Sequence, residues 1–177
     1  MNVMVAVAVM VLGQLPLTGG KLSADDQKIL QSLHQHSGQL SELGKLAQTR
    51  ASSPKVKALA STVTKDQGVV DKLLTGYAAV NGVDLTQPPQ DEAGTPAGKT
   101  TVSDALAQLK DMKGPAFDKL FTRTVADSQE DEISDVQAQQ KETKNEGLSA
   151  LLGKVLPYLQ KHKSQAETLL KVIEPKS

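Results

Sequence analysis

Residues 148–173, LSALLGKVLPYLQKHKSQAETLLKVI, place Leu148, Leu152, Val155, Leu159, His162, Ala166, Leu169 and Ile173 at alternating steps of four and three. That spacing follows the turn of an α-helix and gathers these side chains on one face, whereas a strand would alternate them at every second position. Two earlier stretches repeat it: Ile29, Leu33, His36, Leu40, Leu43 and Ala47, then Val56, Ala60, Val63, Gln67, Val70, Leu74 and Tyr77. Each seam buries one helix face against its neighbours, and the chain reads as all-α. Each seam also holds a polar residue near its middle: His36, Gln67 and His162. A polar group in an apolar core is costly without a partner, so these positions ask for partners or a ligand.

Composition agrees with a helical domain. Only 2% of residues are aromatic and none is Trp, which disfavours sheet, since strands draw on aromatic and β-branched residues. At 177 residues the chain is long enough for one proper core and short for two. Twenty basic and twenty acidic residues cancel, so no global field draws the protein to nucleic acid or to an anionic membrane. The absence of Cys excludes thiol catalysis, disulfides, zinc-thiolate sites and iron-sulfur ligation together. Charge is uneven along the chain: residues 21–81 hold eight Lys/Arg against five Asp/Glu, and residues 115–146 hold four against eight. This predicts an acidic third helix docking on a mildly basic first pair.

The beginning of the sequence predicts export. Val3 to Leu12 is an unbroken apolar run, followed by Gly13, Pro16 and the small residues Thr18, Gly19 and Gly20. Together they read as a signal peptide over residues 1–20, with cleavage after Gly20 and a single domain over residues 21–177. No Lys or Arg precedes the run, unlike the usual signal. A run of about ten residues is too short to cross a bilayer as a helix, so no transmembrane helix is expected in the mature chain. Without Cys, a lipid-modified cysteine anchor is excluded, and the predicted location is periplasmic or secreted.

Ser23 followed by Asp25 and Asp26 predicts an N-cap and a first helix over residues 24–50. Ser53-Pro54 opens a second helix that ends at Asn81-Gly82, making an antiparallel hairpin. The stretch from Gly82 to Pro115 contains Pro88, Pro89, Pro96, Gly94, Gly98 and Gly114 and predicts a long connection, with a short helix over residues 103–112. A connection of that length crosses the bundle and sets helix three (residues 115–144) parallel to helix two, as in ferritin-like four-helix bundles. Helix four covers residues 146–172, with a kink expected at Pro157.

Helical rise places the polar seam positions at one level. His36 and Gln67 each lie roughly 23 Å from the turn at Ser52, and Ser128 and His162 are similarly equidistant from the turn at Asn145, at about 1.5 Å per residue. A mid-bundle layer of His36, Gln67, Ser128 and His162 follows, with Glu42 about a turn and a half from His36. One reading has these groups satisfy each other and fix helix register, as buried Asn does in coiled coils. Another has His36 and His162 bind a single divalent metal, with Glu42 or Asp66 as carboxylate ligand. Redox di-iron chemistry is disfavoured because the Glu-x-x-His motif of such bundles is absent. His34, two residues from His36, points away from it and is expected at the surface. Asp127, Asp131 and Asp135 repeat at steps of four and repel one another, which predicts a cation from another helix or a weak hard-cation site. No phosphate loop or nucleophile elbow occurs.

Several segments resemble a family of bacterial exported proteins of unknown function, often labelled predicted outer membrane proteins, with a ferritin-like four-helix fold. They are residues 41–47 (SELGKLA), 53–60 (SPKVKALA), 114–118 (GPAFD) and 156–162 (LPYLQKH), in that order. The resemblance implies an exported ferritin-like bundle. It also implies Asp-His pairs in helices two and three, where this chain reads Asp66-Gln67 and Asp127-Ser128, while Glu42, Asp118 and His162 match. Two of the family's histidines are thus replaced here. The outer-membrane label does not fit a barrel, which needs many alternating strands. The combined expectation is an exported bundle with a binding or envelope-stress role and no enzyme activity or cofactor. The alternatives are a degenerate metal protein using His36, Glu42 and His162, and a module that contacts a protein partner through helix three or the long connection.

Overall fold

The computed structural model describes residues 21–87 and 101–174. The expected signal peptide and Pro88, Pro89 and Pro96 lie outside the described residues. Within them are five helices and no strand: α1 (Ala24–Arg50), α2 (Pro54–Val80), α3 (Val102–Leu109), α4 (Gly114–Glu142) and α5 (Glu146–Ile173).

Local chemistry fixes the ends. Ser23 caps α1 through a capping box in which its hydroxyl accepts from the Asp26 N–H and the Asp26 carboxylate accepts from the Ser23 N–H. Thr101 and Asp104 repeat the device at α3, which starts one residue before the expected position and stops three earlier. Asn145 caps α5 by accepting from the Leu148 N–H at 3.0 Å. Gly82, at φ +68°, turns the chain out of α2 in a conformation that favours glycine. α5 continues through Pro157 to Ile173.

α1 packs along α2 and α4 along α5, each pair joined by a turn of three residues. The pairs then join across α2 with α5 and α1 with α4, while α3 lies against α1 and α4. Ties at the two ends reveal the helix directions. The α1–α2 turn meets the start of α4 through Asp118, and the start of α1 meets the end of α4 through Asp26 and Thr143. α2 and α4 therefore run the same way.

Buried apolar residues form two clusters. One gathers Leu40, Leu43, Val56, Val63, Phe117, Phe121, Val125 and Ala166 with α3, and the other Leu30, Leu33, Val70, Leu74, Tyr77, Val136, Leu152 and Leu159. On every long helix the boundary between the clusters falls at the same level, near residues 37, 67, 129 and 162. Polar side chains occupy that boundary.

The seams of α2 and α5 are buried as expected, down to Gln67 and His162, with Ile173 half-buried. α1 is turned slightly from the expected seam. Leu30 and Ser37 face inward, while Ile29 and His36 sit half-buried at the edge. Leu30-Leu33-Ser37-Leu40 fits the helical period as well as the expected set, and the small Ser37 is cheaper to enclose than an imidazole.

Candidate functional site

The layer between the two clusters is built by one or two polar residues from each long helix. From α5 comes His162, fully buried; from α2, Asp66 and Gln67; from α4, Gln129 and Glu132; and from α1, Ser37 with His36 at the rim. His162 Nε2 lies 3.1 Å from Asp66 Oδ2, and His162 Nδ1 lies 3.2 Å from Gln129 Oε1. Gln129 Nε2 donates to Glu132 Oε2 at 3.2 Å, and that same oxygen stands 3.3 Å from His36 Nε2. The last contact is an ion-pair distance without hydrogen-bond alignment, so His36 Nε2 is buried without a hydrogen-bond partner. Ser37 Oγ donates to Gln67 Oε1 at 2.8 Å, leaving the Gln67 amide nitrogen without an acceptor. Lys161, the residue before His162, closes the other end with its ammonium 2.7 Å from Asp66 Oδ2.

Burial and charge shift these groups in opposite senses. Burial holds the His162 imidazole below the ordinary histidine value, against the upward pull of Asp66. Burial pushes the Glu132 carboxyl above its ordinary value, with Asp135 adding repulsion and with His36 and Gln129 opposing. Burial would also raise Asp66, but the bonds from Lys161 and His162 reverse that and leave it below the usual carboxylate range. The resulting chemistry favours a neutral imidazole, an ionised Asp66 neutralised by Lys161, and a Glu132 that resists ionisation.

The sequence-derived candidates separate in space. His36 and His162 both belong to the layer, linked through Glu132 and Gln129. Glu42 is exposed on α1 and is not part of it. Among the described residues, no group of three or more His, Asp or Glu side chains is disposed to hold a metal ion. Ser128 does not face the layer; it is half-buried, and its hydroxyl donates to the Val125 carbonyl at 3.4 Å. Gln129 and Glu132 stand where Ser128 was expected. The signal that identifies them is the α4 seam itself, Phe117, Phe121, Val125, Gln129, Glu132 and Val136, which recurs at steps of three or four although it does not alternate them as the other three seams do. His34 is half-buried and paired with Asp71 of α2 at 2.6 Å.

The acidic residues of α4 divide by face. Glu132 turns inward, whereas Asp127, Asp131 and Asp135 are exposed. A cation from another helix is present at Glu130, which pairs with Lys163 of α5 at 3.2 Å.

Asp118 is a structural tie. Nearly enclosed between the hairpins, its carboxylate accepts from the Ser52 N–H at 2.9 Å, the Ser52 hydroxyl at 2.5 Å and the Ser53 N–H at 2.8 Å. α2 has no acidic residue in its first turn, and Asp118 supplies that negative charge from another helix. At the opposite end, the Thr143 hydroxyl donates to Asp26 at 2.7 Å and the Tyr77 hydroxyl donates to Asn145 Oδ1 at 2.9 Å.

The fold and the layer define a class: an all-α helical bundle whose core is split by a buried, largely self-satisfied polar layer. Within that class the chain belongs to the family described as Domain of unknown function (DUF4142), whose model matches residues 15–169. No curated protein is significantly similar to it. Among solved structures it is similar to a protein of Streptomyces coelicolor described as "putative secreted protein DUF305". The two share a TM-score of 0.72 and 15% identity, over 87% of this chain and 96% of the other, which is a likeness of fold. The expectation of a helical family of unknown function stands at that level. Among the described residues, no helix is long and apolar enough to cross a membrane.

Proposed function

We propose that the protein is an exported, ferritin-like four-helix bundle that acts by binding in the cell envelope or its surroundings and carries no catalytic centre. The observation that carries this reading is the ammonium of Lys161 on Asp66, 2.7 Å from the carboxylate oxygen that also faces His162. Ferritin-like metal sites leave inward carboxylates for the metal to neutralise. Here a side chain of the protein supplies the positive charge, and Gln129 occupies a further valence of the imidazole. The parallel course of α2 and α4 and the pairing of α1 with α4 support the ferritin-like arrangement. Export is supported by the apolar run and small-residue string of residues 3–20.

Ion retention tests this reading. The mature protein, equilibrated with zinc, iron, manganese and copper and then dialysed, is expected to retain no stoichiometric ion by mass spectrometry. About one ion per chain, lost on His162→Ala, would overturn it. Sequencing of the protein recovered from the periplasm or medium is expected to start at Lys21; recovery of the intact chain in the cytoplasm would overturn export.

A further inference from the structure

The protons of the polar layer are constrained by its hydrogen bonds. His162 is fully buried, and both of its ring nitrogens face oxygens, Asp66 Oδ2 at 3.1 Å and Gln129 Oε1 at 3.2 Å. A neutral imidazole has one N–H to donate. Gln129 is oriented by its own amide nitrogen, which donates to Glu132 Oε2. With Glu132 ionised, this orientation requires an imidazolium at His162. With Glu132 protonated, a half-turn of the Gln129 amide exchanges its oxygen and nitrogen. Its NH2 then donates to His162 Nδ1, its oxygen accepts from the Glu132 O–H, and His162 Nε2–H donates to Asp66. The two arrangements contain the same number of protons and differ only in where one of them resides.

The charged surroundings are few. α2 contributes Asp66; α5 contributes Lys161 beside His162; α4 contributes Glu132, with Asp135 adding repulsion; and α1 contributes His36 at the rim of Glu132. Lys161 and Asp66 cancel, and one proton shared by His162 and Glu132 leaves that pair neutral overall. A second proton gives the buried layer a net positive charge.

The contacts that carry these charges also join the two hairpins. His162 with Asp66 and Lys161 with Asp66 link α5 to α2, and His36 with Glu132 links α1 to α4. The layer coincides with the boundary between the two apolar clusters, so it can loosen without either cluster coming apart.

We propose that the layer is a proton-operated latch between the hairpins: closed, it holds one proton shared by His162 and Glu132 through Gln129, and opening the α2–α5 and α1–α4 seams at neutral pH releases that proton, so acidification toward the range where the opened layer would hold a proton as well keeps the latch shut. Burial favours the shared proton on Glu132 over His162, consistent with the uncharged arrangement. The protein senses protons at a site enclosed by all four long helices.

Two measurements on the full chain test this. At about pH 7.5, nitrogen NMR of the His162 ring and the infrared carboxylic-acid band removed by Glu132→Gln together count the protons on the pair. One proton is expected; a neutral His162 facing an ionised Glu132 overturns the sharing. Between about pH 7.5 and pH 5.5, hydrogen-exchange protection at residues 63–70 and 159–166 is expected to rise about tenfold in the wild type, because the closed layer keeps its proton while the opened layer must gain one, and not to rise in Glu132→Gln, which has no shared proton to release. Constant or falling protection in the wild type, or the same rise in Glu132→Gln, overturns the latch. If Glu132→Gln does not fold, the pH dependence of the wild type decides by itself.

Discussion

Replacing Asp118 with Ala removes one carboxylate and the three donors it satisfies, the Ser52 N–H, the Ser52 hydroxyl and the Ser53 N–H, at 2.5–2.9 Å. Hydrogen bonds to a charged acceptor contribute about 1.5–3 kcal/mol each when no water replaces them. Ser52 is exposed, so water takes over its two bonds at small cost. Ser53 is half-buried, and the enclosed carboxylate side of the site is left as a small cavity. Loss of the negative charge before α2 adds a few tenths of a kcal/mol to about 1 kcal/mol. The sum is a destabilisation of about 2–4 kcal/mol. In a domain of this size each kcal/mol lowers Tm by about 2–4 °C. Urea unfolding followed by circular dichroism should therefore show a clearly lower midpoint with unchanged slope. Ser52→Ala, which removes one bond, should cost about 1 kcal/mol or less. An Asp118→Ala protein within about 0.5 kcal/mol of wild type would refute the view that this carboxylate ties the hairpins together.

Further outcomes follow from the same geometry. A Cβ added at Gly44 would sit 2.4 Å from Thr64 Oγ1 and 3.0 Å from the Ala60 carbonyl. Gly44→Ala should therefore cost about 1–3 kcal/mol in urea unfolding, and adding Thr64→Ala should recover part of it. Phe117 and Phe121 are fully buried with ring centroids 6.4 Å apart, so Phe121→Ala should cost about 3–5 kcal/mol by the same assay. Tyr77→Phe removes the bond to Asn145 and should cost about 1 kcal/mol. Burial, with Asp26 nearby, raises the Tyr77 phenol, and an alkaline absorbance titration should show a late-ionising phenol that the substitution abolishes. Folded His162 binds protons less readily than the unfolded residue, which costs stability as pH drops through the ordinary histidine value of 6.5 and is complete below the folded value. Glu132, shifted upward, adds stability as pH falls through its raised folded value toward 4.5 and offsets that loss. Asp66 adds a loss as pH falls below its ordinary value of 3.8. Glu132→Gln should therefore uncover the His162 part: its urea midpoint should decline as pH drops below about 6.5, and adding His162→Gln should remove that decline.

Much of this architecture is legible in the sequence because helical periodicity is a local property. The bounds of α1 and α2, the hairpin turns and the buried faces of α2 and α5 follow from apolar spacing, from the N-cap at Ser23 and from Pro54 at the first helical position. The site is less legible because membership of a layer depends on the rotation of each helix about its axis. On α1 the conspicuous His36 was expected to face inward, whereas Ser37, one residue on, is the buried group. On α4 the expectation fell on Ser128, a register taken from distance along the helix alone. Distance specifies the level but not the face, and the seam from Phe117 to Val136 points to Gln129 and Glu132. Lys161 carried no signal, since a lysine beside a buried histidine is ordinary in sequence and acquires meaning from Asp66 on another helix. Glu42 matched the family resemblance and lies outside the layer. The tie made by Asp118 is also absent from local pattern, because its partners lie on the distant turn at Ser52 and Ser53.

The central claim is that the mid-bundle layer is closed by the protein's own side chains and joined across the hairpins by His162. Nitrogen NMR of the His162 ring at neutral pH, recorded before and after addition of zinc, tests it most directly. The account predicts slowly exchanging N–H signals coupled to Asp66 or Gln129 and unchanged by the metal. Rapid exchange with solvent, or displacement of the ring signals by stoichiometric zinc, would contradict it.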